Sequence, residues 1–318
     1  MRILKFGGKS LSSVEKSQKI CKYIKKIYKN EKKLIIVVSA MGNKTNNLLT
    51  LANKFGESDF AKSDLAKLLA TGELESSALI SIMLNTIGVP AKSFSAHELQ
   101  IKTFGDPLCS RISYINKTPL IESLKNNIVS VVAGFQGINS NNEITTLGRG
   151  GSDTTAAALA AIFGINAEIY SDFNGIYAGD PRLLNFKKLK SVNYDIISNM
   201  AKAGAKVLES RATKIAKNNN IKILCKSSAT PENSGSIVSD IESNIIAISS
   251  IDNLCQITII FSDYQKLNLL TKNVLNEINN YKFYNFNIEN DKISFYVESE
   301  NKLKIISKLS SKLNLIKK

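Results

Sequence analysis

Apolar side chains in this chain come in short blocks separated by polar, turn-rich stretches. Residues 33–42, KLIIVVSAMG, form a continuous β-branched run, and residues 128–135, IVSVVAGF, repeat the pattern. Runs this short and this unbroken predict strands buried on both faces. Shorter segments at 2–6 (RILKF), 90–96 (PAKSFSA), 167–172 (AEIYSD) and 221–228 (IKILCKSS) predict further strands. Between them the period becomes helical. Residues 12–28 place Val14, Ile20, Tyr23, Ile24 and Ile27 on one stripe, residues 61–87 predict a second helix, and the alanine-rich stretch from Thr154 predicts a third. Strands alternating with helices predict an α/β fold with a mostly parallel sheet, whose ligands bind beyond the carboxyl ends of the strands.

Around residues 231–243 the texture turns polar and rich in turn formers, which marks a boundary. Beyond it the pattern predicts a strand at 254–263, a helix at 264–280, a hairpin turning near Asn290 and Asp291, and a final helix in KLKIISKLSSKL. That β-α-β-β-α order describes one small α+β module, close to a split βαβ unit but without a clear last strand.

Composition narrows the classes of function. The 318 residues are 43% hydrophobic and 22% charged, and no apolar run approaches the roughly 20 residues of a membrane span. MRILKFGGKS lacks the apolar core of a secretory signal. The four cysteines are scattered with no C-x-x-C pair, and His97 is the only histidine, which argues against a zinc site or a disulfide framework. The expectation is a reduced cytoplasmic protein, without membrane partner. A formal charge of +15 would suit nucleic acid, but lysine is spread along the whole chain without a reader motif, so no nucleic-acid partner is expected. The same charge attracts small anions at long range.

Four segments carry candidate chemistry. In KFGG, Lys5 ends a strand and Gly7-Gly8 offer bare backbone, a combination that meets phosphate oxygens but also makes an ordinary turn. GRGGSDTT sets Arg149, three glycines and Asp153 at a helix mouth. Ser152 or Asp153 can cap a helix starting at Thr154, whereas Arg149 is left to grip an anion. YSDFNGIYAGDPR brackets a glycine turn with Asp172 and Asp180, with Tyr177 between them and Arg182 after; it reads as an Asx-turn loop or a nucleotide pocket. In TGELESS, Glu73 reads as a favourable charge near a helix start or as a carboxylate for a substrate ammonium.

Taken in order, KFGGKS, VVSAMGNKTNNLL, TGE, VAGFQG, TTLGRGGSDTTAAALA, YSDFNGIYAGDPR and GAKVLESRA resemble the signatures of the aspartate kinases within the amino-acid kinase family, across about residues 2–240. The resemblance implies a three-layer αβα sandwich as catalytic domain (1–240) and a single, shortened ACT-like module (241–318). It implies ATP-dependent phosphorylation of the side-chain carboxylate of L-aspartate, the step that opens lysine, threonine and methionine synthesis, with Mg²⁺ carried by the ATP phosphates and no separate protein metal site. By resemblance, Lys5 would meet the transferring phosphoryl group, Asp153 would orient Lys5, Glu73 would hold the substrate ammonium, and Arg149 would clamp its α-carboxylate. Ser39, Thr45 and Ser152 would lie on the substrate side. Gly7, Gly8, Ser171, Asp172, Tyr177, Asp180, Arg182 and Lys206 would meet the nucleotide. A homodimer through the C-terminal module and a lysine or threonine effector are further expectations. The chain departs from the resembled pattern at Lys9 and Lys44, where hydroxyl-bearing or acidic residues are usual, and at Asn46, Asn174 and Glu209-Ser210.

Overall fold

A computed structural model describes residues 1–56, 61–182, 186–202, 205, 208–241, 253–260, 267–289 and 292–312. The chain forms two compact units, Met1–Ser249 and Ser250–Lys318. In chain order the first unit contains β1 (Arg2–Phe6), α1 (Val14–Asn30), β2 (Leu34–Val38), α2 (Lys44–Phe55), α3 (Lys62–Thr86), β3 (Ala91–Phe94), β4 (Lys102–Phe104), β5 (Arg111–Tyr114), α4 (Thr118–Lys125), β6 (Val129–Ala133), β7 (Gln136–Ile138), β8 (Ile144–Thr146) and α5 (Gly151–Phe163). It continues with β9 (Ala167–Ser171), β10 (Ile176–Tyr177), β11 (Lys188–Leu189), β12 (Ser191–Asn193), α6 (Tyr194–Lys202), α7 (Ser210–Asn218), β13 (Ile223–Ser227) and β14 (Ser236–Ser239).

Its eight-stranded sheet runs β12-β14-β13-β9-β1-β2-β6-β3. Every neighbouring pair is parallel except β13 with β14. The central strands β2 and β6 are buried along their whole length, as an unbroken β-branched run requires when helices cover both faces. Successive side chains point to opposite faces. Ile3, Ile35 and Val37 therefore join one core, under α5, while Leu4, Phe6, Ile36 and Val38 join the other, under α1 and α3. The result is the three-layer αβα arrangement. A separate four-stranded sheet, β5-β4-β7-β8, folds from residues 102–146. Sequence patterning predicts none of these four short strands.

The direction of the chain changes at β1. From β1 the chain crosses through α1 to β2 on one side, whereas α5 leads into β9 on the other. The parallel register brings Phe6 level with Val38 and Tyr170, and Val38 level with Ala133. The next residues, Gly7, Ser39, Gly134 and Ser171-Asp172, consequently gather at one end of the sheet, at a topological switch point.

The second unit holds β15 (Leu254–Ile260), α8 (Leu267–Ile278), β16 (Phe283–Ile288), β17 (Lys292–Glu298) and α9 (Lys302–Lys312). This is the β-α-β-β-α order expected from sequence. An antiparallel sheet, β15-β17-β16, packs Ile257, Ile293, Phe295 and Val297 against Val274, Ile278, Ile305 and Leu309. Asn290 and Asp291, at the predicted hairpin turn, lie outside the described residues.

Candidate active site

Lys5 takes its place from strand alternation. It shares the face of Ile3, which α5 covers, and it is only 8% exposed. A buried ammonium needs a counter-charge. Asp153, in the first turn of α5, supplies it, with Lys5 Nζ 2.5 Å from Asp153 Oδ1. Gly7 follows the end of β1, and its backbone N–H donates to the Tyr170 carbonyl at 3.2 Å. A Cβ at Gly7 would stand 3.5 Å from Lys5 Nζ. Gly8 is required by contact: a Cβ there would fall 2.4 Å from the Ala40 carbonyl oxygen.

The mouth of α5 departs from the capping expected of it. The helix begins at Gly151 rather than Thr154, Gly150 is its N-cap in the left-handed region at φ 65°, and no side chain caps it. The two presumptive capping groups are engaged elsewhere. Ser152 Oγ lies 2.5 Å from Ser39 Oγ, tying α5 to the end of β2, and Asp153 holds Lys5. Gly134 makes room for this, since a Cβ at that position would sit 2.7 Å from Ser152 Cβ and 3.0 Å from the Val38 carbonyl oxygen. Arg149 is exposed on the loop leading into α5. Glu209 packs over that loop, where a Cβ on Gly150 would come within 2.7 Å of it, and Arg211 reaches the Ser110 carbonyl at 3.3 Å.

Glu73 does not sit near a helix start. It occupies the middle of the 25-residue α3 and is 4% exposed, so a helix-terminus role is ruled out. Ala40 N donates to its Oε1 at 3.0 Å, while Oε2 is buried without a hydrogen-bond partner. Burial pushes the carboxyl up to about 7, against the pull of the Ala40 amide and the nearby Lys5 ammonium. Gly72 allows this approach, for a Cβ there would lie 2.8 Å from Ala40 Cβ. A buried carboxylate oxygen lacking a donor is a receptor for a cationic group. Lys44 forms a 2.6 Å ion pair with Glu75, two residues beyond Glu73, and Thr45 stands half-buried in the first turn of α2.

The segment after β9 lies at the same end of the sheet. Ser171 Oγ accepts from Phe173 N at 3.1 Å, and its carbonyl accepts from Ser228 N at 2.8 Å. Asp172 pairs with Lys9 at 3.0 Å. Tyr177 is placed by the short β10–β11 ladder. Asp180 takes two hydrogen bonds from Arg182 Nε, at 2.9 and 3.1 Å, and the guanidinium beside it pulls its carboxyl down to about 2. Lys206 lies outside the described residues. The structure thus brings Lys5, Gly7, Gly8, Ser39, Glu73, Ser152, Asp153 and Asp172 around one mouth, while Asp180 and Arg182 pair with each other farther along the loop. Ala40, Gly72 and Gly134 were missed by sequence reasoning. Their importance is steric, and an alanine or glycine carries no chemical signal of it.

The model of the amino acid kinase family matches residues 1–227. The chain belongs to the amino acid kinase family. Within that family it is similar to the aspartokinase of Rickettsia felis, 36% identical over 303 residues that cover 89% of this chain and 75% of the relative. It is 40% identical to the aspartokinase of Thermus thermophilus over 242 residues, covering 75% and 59%. The fold is similar to that of E. coli aspartokinase III in complex with aspartate and ADP, with a TM-score of 0.70, 19% identity and coverage of 99% of this chain and all of that one. This member of the family is therefore a kinase by descent, and its named relatives are aspartokinases.

Proposed function

We propose that the chain is an aspartate kinase that transfers the terminal phosphoryl group of ATP to the side-chain carboxylate of L-aspartate. The observation that carries this reading is the pairing of a buried ammonium with a buried, half-satisfied carboxylate. Lys5 stands beside the Gly7–Gly8 turn, and Glu73 keeps one oxygen without a donor under the same mouth. Aspartate is a small zwitterion with two carboxylates. Its ammonium satisfies Glu73 Oε2, its α-carboxylate meets Arg149, and its side-chain carboxylate faces the phosphoryl group.

The reaction then needs positioning and charge neutralisation rather than a base. A carboxylate is already ionised at neutral pH, so its oxygen attacks the γ-phosphorus directly, the bond to the β–γ bridging oxygen breaks, and ADP departs. Lys5 offsets charge on the phosphoryl oxygens, and Asp153 holds the ammonium in place. The Gly7–Gly8 backbone allows close approach of the phosphates. Magnesium would be carried by the nucleotide phosphates, facing a mouth whose carboxylate and hydroxyl oxygens are the kind of donors a hard cation takes. Bound there, it would neutralise phosphate charge.

The second unit fits the regulatory role that the resemblance implies, with lysine or threonine as effector and a second copy of the chain as partner. Its three-stranded sheet places β15 and β16 at the edges. The substrate is tested by ADP release with ATP, magnesium and a panel of acceptors: L-aspartate, L-glutamate, N-acetylglutamate, UMP and isopentenyl phosphate. Turnover with L-aspartate alone is expected. Turnover with a phosphate acceptor, and none with aspartate, would overturn the reading.

A further inference from the structure

Lys9 stands where the resembled motif carries a hydroxyl residue, and its surroundings give the substitution a use. It lies on a 3-10 turn, Gly8–Leu11, directly after Gly7. Its backbone is pinned: Ser10 N donates to the Gly7 carbonyl at 2.9 Å, while the Lys9 carbonyl accepts from Ser12 Oγ at 3.0 Å and from Lys16 Nζ at 3.3 Å. Its side chain, by contrast, is 72% exposed and reaches across to Asp172, 3.0 Å away and 44% exposed. Lys9 and Asp172 thus join the turn after β1 to the first residue beyond β9, on the neighbouring strand. An exposed pair of this kind adds little stability and opens easily.

We propose that Lys9 is a second phosphate-binding ammonium, docked on Asp172 when the site is empty and transferred to the β- and γ-phosphates when nucleotide enters. This rests on the kinase reading above, in which the Gly7–Gly8 turn meets those phosphates. Two ammonium groups of different character then flank one turn. Lys5 is buried and fixed by Asp153, and serves the transferring group. Lys9 is exposed to water and exchanges one carboxylate for a polyphosphate that carries several charges. A hydroxyl at this position would offer a hydrogen bond without the charge, so Lys9 makes affinity depend on the number of phosphates.

The test is calorimetric binding of ATP, ADP and AMP, with magnesium, to the full chain as wild type, Lys9→Ala, Lys9→Thr and Lys9→Arg. Lys9→Ala and Lys9→Thr are expected to weaken ATP and ADP about five- to tenfold while AMP stays within about twofold, and Lys9→Arg to retain most of the ATP affinity. Unchanged ATP binding, or an equal loss for all three nucleotides, would overturn the inference, as would a wild type that binds no ATP. A phosphate-dependent loss supports it even if the wild type phosphorylates no aspartate, a result that would refute only the acceptor assigned above.

Discussion

At the scale of single residues, the site rests on two buried charges treated differently. Lys5 has a full partner in Asp153, whereas Glu73 has one amide and an orphaned oxygen. Burial raises the Glu73 carboxyl from its ordinary 4.5 to about 7, so in the empty enzyme it is partly protonated at neutral pH. In the binding mode proposed above, the aspartate ammonium requires the ionised form. KM for aspartate is expected to rise as pH falls below about 7, approaching tenfold per pH unit, while the substrate's own groups do not titrate between about pH 5.5 and 8. A flat KM over that range would contradict the assignment. The sign for stability is opposite to that of a paired carboxylate. Folding favours the protonated form, so the associated stability is complete below pH 4.5 and is lost as pH rises through about 7. Glu73→Gln should therefore unfold at higher denaturant than wild type at pH 8, by on the order of 2–3 kcal/mol, with that advantage vanishing near pH 4.5. Asp153→Ala has the reverse character. It strands a buried ammonium and should cost about 3–5 kcal/mol in urea unfolding.

At the scale of elements, glycines decide how closely the strands and helices meet. Gly134 lets α5 reach the end of β2, so that Ser152 and Ser39 touch. Gly134→Ala forces Ser152 or the Val38 carbonyl to shift, with an expected cost of about 1–3 kcal/mol and a fall in kcat/KM for aspartate. Unchanged stability and activity would show that the tie is dispensable. Much of this layer was legible in sequence. The β-branched runs at 33–42 and 128–135 gave β2 and β6, and the glycines of residues 148–151 marked a special helix mouth. What was not legible had a physical cause. Ser152 and Asp153 read as caps because local rules favour capping, but contacts with Ser39 and Lys5, distant in sequence, took precedence. Glu73 read as an N-terminal charge because TGELESS was weighed as an isolated motif, although the helix predicted over residues 61–87 already put it mid-helix. The strands β4, β5, β7 and β8 span three or four residues each, too short for alternation to register.

At the scale of the whole molecule, the β-α-β-β-α unit and the parallel α/β character of the larger unit were both apparent from patterning, because each has its own periodic core, whereas the three-layer αβα arrangement was implied by the resemblance. The positions within the site came from the order of motifs rather than from periodicity. The net charge of +15 acts at this scale too. It draws anionic nucleotide toward the protein, and salt screens it over a Debye length of about 10 Å at 0.1 M. Raising ionic strength from about 0.02 to 0.3 M is expected to lower kcat/KM for ATP several-fold with a smaller change in kcat; a salt-independent kcat/KM would mean that steering contributes nothing.

On the proposed mechanism, Lys5 promotes formation of an acyl phosphate on the aspartate side chain. Its most direct measurement is the hydroxamate formed when the enzyme turns over ATP, magnesium and L-aspartate in the presence of hydroxylamine, compared between wild type and Lys5→Ala. Aspartyl hydroxamate is expected from wild type, and a rate about 10²–10⁴ lower from the variant. ADP release without hydroxamate, or a Lys5→Ala variant as fast as wild type, would contradict it.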